Sequence, residues 1–170
     1  LFKRHPILMI LNKYFLSRIW GAIVLSKSLT ENFLGIMSSR KIHIIPNYVD
    51  QELFIDEEII NYKFNNLKKI NILYLSNLLP GKGYQELADA YKMLDDQLKN
   101  RIVINFAGRF EDSIQKASFL TKVNKYNSIK YHGIVAGQKK QQLLKKAHIL
   151  CLPSYYYVPE GQPISILEAY

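Results

Sequence analysis

The chain has 170 residues, 48% of them hydrophobic and 22% charged, with 23 Lys+Arg against 14 Asp+Glu for a formal charge of +9. That length suits one domain, or one domain with a fragment of another, and the ordinary globular composition excludes disordered, collagen-like and coiled-coil chains. The single cysteine, Cys151, excludes a disulfide framework and a Cys-based zinc site, and it fits a reducing compartment.

The first apolar run, Ile7 to Leu11, stops at Asn12-Lys13, far short of the ~18 residues a membrane span needs. Lys3-Arg4 before it imitate a secretory signal, but the run is short and lacks a small-residue cleavage site. With Leu1 in place of an initiator Met, the expectation is a cytosolic piece of a longer protein. Leu8, Leu11, Phe15 and Ile19 share one side of a helix, with Lys3, Arg4, Lys13 and Arg18 elsewhere. A basic amphipathic helix of this kind can touch an anionic bilayer at the inner face of the cell membrane; packing against a core with a solvated opposite face is the preferred expectation.

Gly21–Leu25 reads as a strand, and the spacing Ser28-x-x-Glu31 predicts a capping box opening a helix that buries Leu29, Phe33 and Ile36. Lys41–Ile45 is a second strand, ended by Pro46-Asn47, and residues 50–68 are charged and weakly periodic, as in a linker or surface excursion. From residue 70 the pattern becomes regular. Strands are predicted at Ile70–Leu75, Ile102–Phe106, Ile129–His132 and Ile149–Leu152. The helices between them turn inward Tyr84, Leu87, Ala88 and Tyr91, then Ile114, Ala117 and Leu120, then Leu143, Leu144 and Ala147, and Pro163 opens a last helix. Strands without clean alternation, each followed by a helix, indicate a doubly wound, Rossmann-like α/β domain with a parallel sheet covered on both faces.

Ligands of such sheets bind beyond the carboxyl ends of the strands, here the loops at 76–83, 107–112, 133–137 and 153–161. The cations number 18 Lys and only 5 Arg, dispersed along the chain, which argues against specific nucleic-acid readout, while three of these loops carry glycine with a charged neighbour, which suits an anionic ligand. The first loop, Ser76 to Gly83, is neither a Walker loop nor a G-x-G-x-x-G, but it sets Lys82 at a helix start, where free N–H groups favour a phosphate. In the last loop, Glu160 and Glu168 stand eight apart, one in the loop and one in the helix that Pro163 begins. Two carboxylates so placed can accept from hydroxyls at different depths of one pocket. His5, His43, His132 and His148 are isolated in sequence and read as structural or surface groups, so no metal site is expected.

Glu160-x7-Glu168, followed by Ala169, resembles the E-x7-E motif of retaining glycosyltransferases of family 4, which have the GT-B fold. Other segments match in order: Ile45-Pro46-Asn47-Tyr48-Val49-Asp50 resembles the interdomain I-P-N-G-V-D, and Leu75–Gly83 the G-R-L-x-x-x-K-G loop. Asn105–Arg109, Lys130–Gly133 and Leu150–Ser154 are similar to the family's strand-end steps, so the resemblance runs from about residue 20 to 170. It implies that residues 1–45 are the tail of an acceptor-binding N-terminal domain, 46–69 an interdomain linker and surface excursion, and 70–170 a donor-binding domain cut short at its C-terminus.

The resemblance further implies transfer of a sugar, with retention, from a nucleotide diphosphate-sugar to a glycan or lipid-linked acceptor, in surface polysaccharide synthesis and without metal or other cofactor. In that scheme Lys82 contacts the diphosphate, Glu160 the donor sugar and Glu168 the ribose. Amides at Gly161, Ile164 and Ser165 meet sugar and phosphates, while Gly81, Gly83, Gly108, Gly133 and Ile134 line the donor site, the last two facing the base. Asn77 stands where the family has its loop arginine, which Arg109 can replace, and the usual E-G-F-G is Glu160-Gly161-Gln162-Pro163. Tyr155, Tyr156 and Tyr157 either line the donor pocket or pack as aromatic core. The competing readings are a GT-B sugar-nucleotide epimerase and a non-enzymatic nucleotide-binding or basic interaction module.

Overall fold

The computed structural model describes residues 6–156 and 161–170. They form two compact units, residues 6–48 with 161–164 and residues 49–156 with 165–170. All the sheet pairing is parallel, as the strand–helix alternation requires.

In the first unit α1 (Pro6–Leu16) is followed by β1 (Ala22–Val24) and β2 (Ile42–Ile44), which pair in register Ala22↔Ile42 to Val24↔Ile44. Two expectations are corrected here. None of the described side chains of α1 is buried, with Ile7 73% and Phe15 62% exposed, because no apolar surface of the described residues covers them. The segment after β1 is a 3-10 helix, Lys27–Phe33, not an α-helix with a Ser28–Glu31 capping box. Its N-cap is Ser26, whose hydroxyl bonds the Ser28 hydroxyl at 2.9 Å instead of a helix amide, and Leu29, Phe33 and Ile36 are only half-buried. Asn47 and Gln162 close the unit with two hydrogen bonds, from Asn47 N to Gln162 Oε1 (2.8 Å) and from Asn47 Nδ2 to the Gln162 carbonyl (2.9 Å).

The second unit begins with a short 3-10 turn and α2 (Glu57–Asn65), a helix in the segment read as a surface excursion, with no buried residue. Its sheet has the order β5-β4-β3-β6, from β3 (Ile70–Leu75), β4 (Ile102–Ala107), β5 (Ile129–Tyr131) and β6 (Ile149–Leu150). Leu73 and Tyr74 are adjacent and both buried, as are Phe106 and Ala107. Neighbours on a strand point to opposite faces, so both faces of β3 and β4 are covered. Buried side chains come from α3 (Tyr84–Met93), α5 (Ser113–Val123) and α6 (Gly137–Lys146), while α4 (Asp96–Arg101) and α7 (Ile164–Ala169) have no fully buried residue, and Ile164 groups with the first unit.

Tyr84, Leu87, Ala88 and Tyr91 of α3 are buried at the predicted i, i+3, i+4, i+7 spacing. The inward face of α5 is met only in part: Leu120 packs against the core as predicted and Phe119 and Val123 are buried, whereas Ile114 is 77% exposed and Ala117 is exposed. Phe119 wins because its ring meets three others edge-on or tilted, Tyr84 at 5.3 Å, Phe106 at 5.1 Å and Phe110 at 5.6 Å, a larger gain than an isoleucine offers. β6 spans two residues, shorter than the predicted four, with Cys151 N still donating to the Leu73 carbonyl at 2.9 Å just beyond it.

Candidate functional site

The strand order supplies the site's position. From β3 the chain moves outward to β4 and β5, then crosses back to place β6 on the other side of β3. The carboxyl ends of β3 and β6 therefore flank a topological switch point, where connections diverge and leave a crevice.

The loops after these two strands are joined there. Tyr155 N donates to the Gly81 carbonyl at 2.8 Å. Gly83, with φ +80°, lies so close to the segment after β6 that a Cβ on it would stand 2.2 Å from the Pro153 carbonyl oxygen. Only glycine satisfies both the left-handed backbone and that approach. Tyr74, buried on β3, holds the loop from beneath through hydrogen bonds from its hydroxyl to the carbonyls of Asn77 (3.1 Å) and Lys82 (3.2 Å). Lys82 is consequently fixed just before α3, a buried charged residue at 4% exposure, its ammonium 4.5 Å above the Tyr156 ring. A cation over an aromatic face beside free helix amides is a surrounding that attracts an anion.

The second cluster lies at the ends of β3, β4 and β5. Ser76, Asn77, Gly108, Arg109 and Ile134 line a cleft of about 470 Å³. Its walls are stitched by the Ser76 N to Ala107 O (3.1 Å), Leu78 N to Arg109 O (2.9 Å) and Gly108 N to Gly133 O (2.8 Å) bonds. Gly108 has no room for a side chain, since its Cβ would lie 1.8 Å from the Ser76 carbonyl oxygen. Asn77 and Arg109 thus share one cleft, so a guanidinium is available there although the loop itself has none.

Glu168 on α7 has a side chain only 8% exposed, and it pairs with Lys140 of α6. Ser165 stands half-buried in the first turn of the same helix. Gly161 and Ile164 group with the first unit, where the Gly161 backbone is packed against Leu29 and Leu25. Glu160 and Tyr157 lie outside the described residues. Of the other tyrosines, Tyr156 supports Lys82, and the Tyr155 hydroxyl donates to Glu86 Oε1 at 2.6 Å.

Two of the isolated histidines have structural partners in the second unit. His132 Nε2 is 2.9 Å from Asn105 Oδ1, and burial, with Lys139 and Lys130 nearby, pushes its pKa down. His148 Nδ1 accepts from Asn71 N at 2.9 Å, which requires that nitrogen unprotonated; burial and then Lys63 lower its pKa. Both imidazoles serve the sheet. Lys140 is the residue that sequence reading missed, because nothing in the run Gln138-Lys139-Lys140-Gln141 separates it from a solvated lysine.

The model of the group 1 glycosyl transferases matches residues 55–170, more than half of the chain. The chain belongs to this family. Its α/β architecture matches GT-B glycosyltransferases among solved structures. Anabaena Alr3699/HepE, crystallised with UDP-glucose, superposes with a TM-score of 0.69 at 18% identity, over 96% of this chain and 46% of that one. Sucrose-phosphate synthase from Thermosynechococcus elongatus gives 0.66 at 17%, over 98% and 42%. WaaG, a glycosyltransferase involved in lipopolysaccharide biosynthesis, gives 0.64 at 16%, over 87% and 40%. At these identities the likeness is one of fold, and this member of the group 1 family spans less than half the length of each neighbour. Among curated proteins no significant match is found. No helix of the described residues is long and apolar enough to cross a membrane.

Proposed function

We propose that the protein transfers a sugar from a nucleoside diphosphate-sugar to a glycan or lipid-linked acceptor with retention of anomeric configuration, on the cytoplasmic side of surface polysaccharide assembly. The observation that carries this reading is Lys82: a buried cation at the switch point, held at the N-terminal end of a ten-residue helix by Tyr74 and Tyr156. The family match supports the reaction class, and the UDP-glucose bound to HepE and the pathway named for WaaG support the donor and the biological setting.

Cleavage of the bond between the anomeric carbon and the diphosphate builds negative charge on the departing phosphate. A pre-placed ammonium and helix amides stabilise that charge without reorganising, which is the main device by which such a barrier falls. In this reading Lys82 and the α3 amides take the diphosphate, with Arg109 assisting from the neighbouring cleft beside Asn77. Glu168 accepts from the ribose hydroxyls, and Gly133-Ile134 border the base. Glu160 holds the donor sugar, with the Gly161, Ile164 and Ser165 amides serving sugar and phosphate. The positive charge is supplied by the chain's own side chains, so transfer proceeds without a resident metal. Residues up to about 45 belong to the acceptor-binding domain and those from 70 onward to the donor domain.

The test is a thermal-shift panel of UDP-, GDP- and ADP-sugars on the full-length protein, followed by product analysis with the donor that binds. One donor class is expected to raise Tm and to yield a glycoside of retained configuration. No shift with any of the three, alongside steeply salt-dependent binding to nucleic acid, would favour a basic interaction module instead.

A further inference from the structure

Glu168 is a mostly buried carboxylate on a six-residue helix, two positions from residue 170. Its Oε1 accepts a hydrogen bond from Lys140 Nζ, and Lys140 is itself 28% exposed. Oε2 has no such partner among the described residues. No side-chain N or O that is sealed from solvent lacks a partner among them either, so Oε2 keeps contact with solvent although the side chain as a whole is only 8% exposed. A carboxylate has two oxygens with about four acceptor directions, and a single ammonium takes one of them, leaving enough for a vicinal diol.

The two helices differ in how firmly they are held. α6 runs for ten residues, buries Leu144 and is tied by Gln141 Nε2 to Glu52 Oε2 at 2.8 Å. α7 has no fully buried residue, although its Glu168 side chain is mostly enclosed. A glutamate has three rotatable side-chain bonds, so without a partner its carboxylate would spread over several rotamers before any ligand arrived.

We infer that Lys140 is a positioning residue: its ammonium pins Oε1 of Glu168 and so aims Oε2 at the ribose hydroxyls of the nucleoside diphosphate. This rests on the nucleotide-sugar reading above. The lysine itself touches no ligand, and its effect passes through the carboxylate it orients.

The experiment compares calorimetric Kd values of UDP, GDP and ADP with those of their 2′,3′-dideoxy counterparts, on the full-length wild type and on Lys140→Met, Lys140→Arg and Glu168→Gln. Wild type is expected to bind one ribonucleotide ~10-fold more tightly than its dideoxy form, the worth of a good hydrogen bond to a charged group. Lys140→Met is expected to lose most of that ratio while its dideoxy affinity changes less than ~2-fold, and Lys140→Arg to restore it to within ~3-fold. A merely structural lysine would lower both affinities together. If Glu168→Gln collapses the ratio but Lys140→Met keeps it, the inference fails while the nucleotide-sugar reading stands. If wild type binds none of the three nucleotides, both fail. Should Lys140→Met not fold, Lys140→Gln carries the comparison, and a wild-type ratio in that variant overturns the inference.

Discussion

Replacing Gly83 by alanine strikes the contact that builds the switch point. The residue has φ +80°, and its Cβ would lie 2.2 Å from the Pro153 carbonyl oxygen, where ordinary contact begins near 3.4 Å. A left-handed alanine costs about 1–2 kcal/mol. Relieving the overlap means moving the Pro153 carbonyl by roughly 1 Å, away from the loop to which Tyr155 N is bonded, and losing that hydrogen bond costs about 1 kcal/mol more. The sum, about 2–3 kcal/mol, corresponds to a fall in Tm of about 4–12 °C at this chain length. Gly133 provides the internal control, with φ +71° and nothing within 4 Å of its Cβ. Gly133→Ala has the dihedral cost alone, about 1–2 kcal/mol, so it is expected to unfold about 2–4 °C above Gly83→Ala in matched calorimetric scans. Equal Tm values for the two variants would refute the claim that the loops after β3 and β6 are interlocked at this glycine.

Three further outcomes are expected. Lys82→Met lowers kcat/KM for the donor at least ~10-fold, about 1.4 kcal/mol of transition-state stabilisation, and unchanged steady-state kinetics would remove the lysine from the site. Phe119→Ala costs about 3–5 kcal/mol in urea unfolding while Ile114→Ala stays within about 0.5 kcal/mol; the reverse order would restore the face read from sequence. His132 and His148 have pKa values pushed below their ordinary 6.5, so the unfolded chain takes up protons first as pH falls. Their contribution is therefore full above about pH 6.5 and is lost below it as the folded values are passed. Urea midpoints at pH 7.5, 6.5 and 5.5 should fall, less steeply in His148→Gln, and a flat series would contradict the assignment.

The fold was legible where one physical signal dominated. The run 70–75 and the spacing of Tyr84, Leu87, Ala88 and Tyr91 follow directly from strand and helix periods, and both stand in the structure. The α5 face was legible only at Leu120, which packs against the core. Ile114 and Ala117 satisfy the same period as Phe119 and Val123, and only the aromatic neighbours Tyr84, Phe106 and Phe110, distant in sequence, decide between them. Ser28-x-x-Glu31 has the letters of a capping box, but with the chain already turning at Ser26 the hydroxyls bond each other and a 3-10 helix results.

The site divides in the same way. Lys82, with glycines on both sides, was visible because a tight turn before a helical period leaves a lysine beside free amides. Its burial was not visible, for it depends on Tyr156 arriving from the loop after β6. Asn77 and Arg109 are 32 positions apart in sequence, and the parallel register of β3 and β4 brings them to one cleft. The partner of Glu168 was hidden for a similar reason: Lys140 belongs to a lysine-rich helix whose polar face looks uniformly solvated.

The central claim is that a diphosphate is gripped where β3 and β6 diverge, and a crystal structure of the full-length protein with its nucleoside diphosphate tests it most directly. A phosphate oxygen within about 3 Å of Lys82 Nζ, at the start of α3, is the expected result. A nucleotide seated elsewhere, such as the pocket bordered by Ser17, Ile36 and Lys41, with Lys82 untouched, would contradict the account.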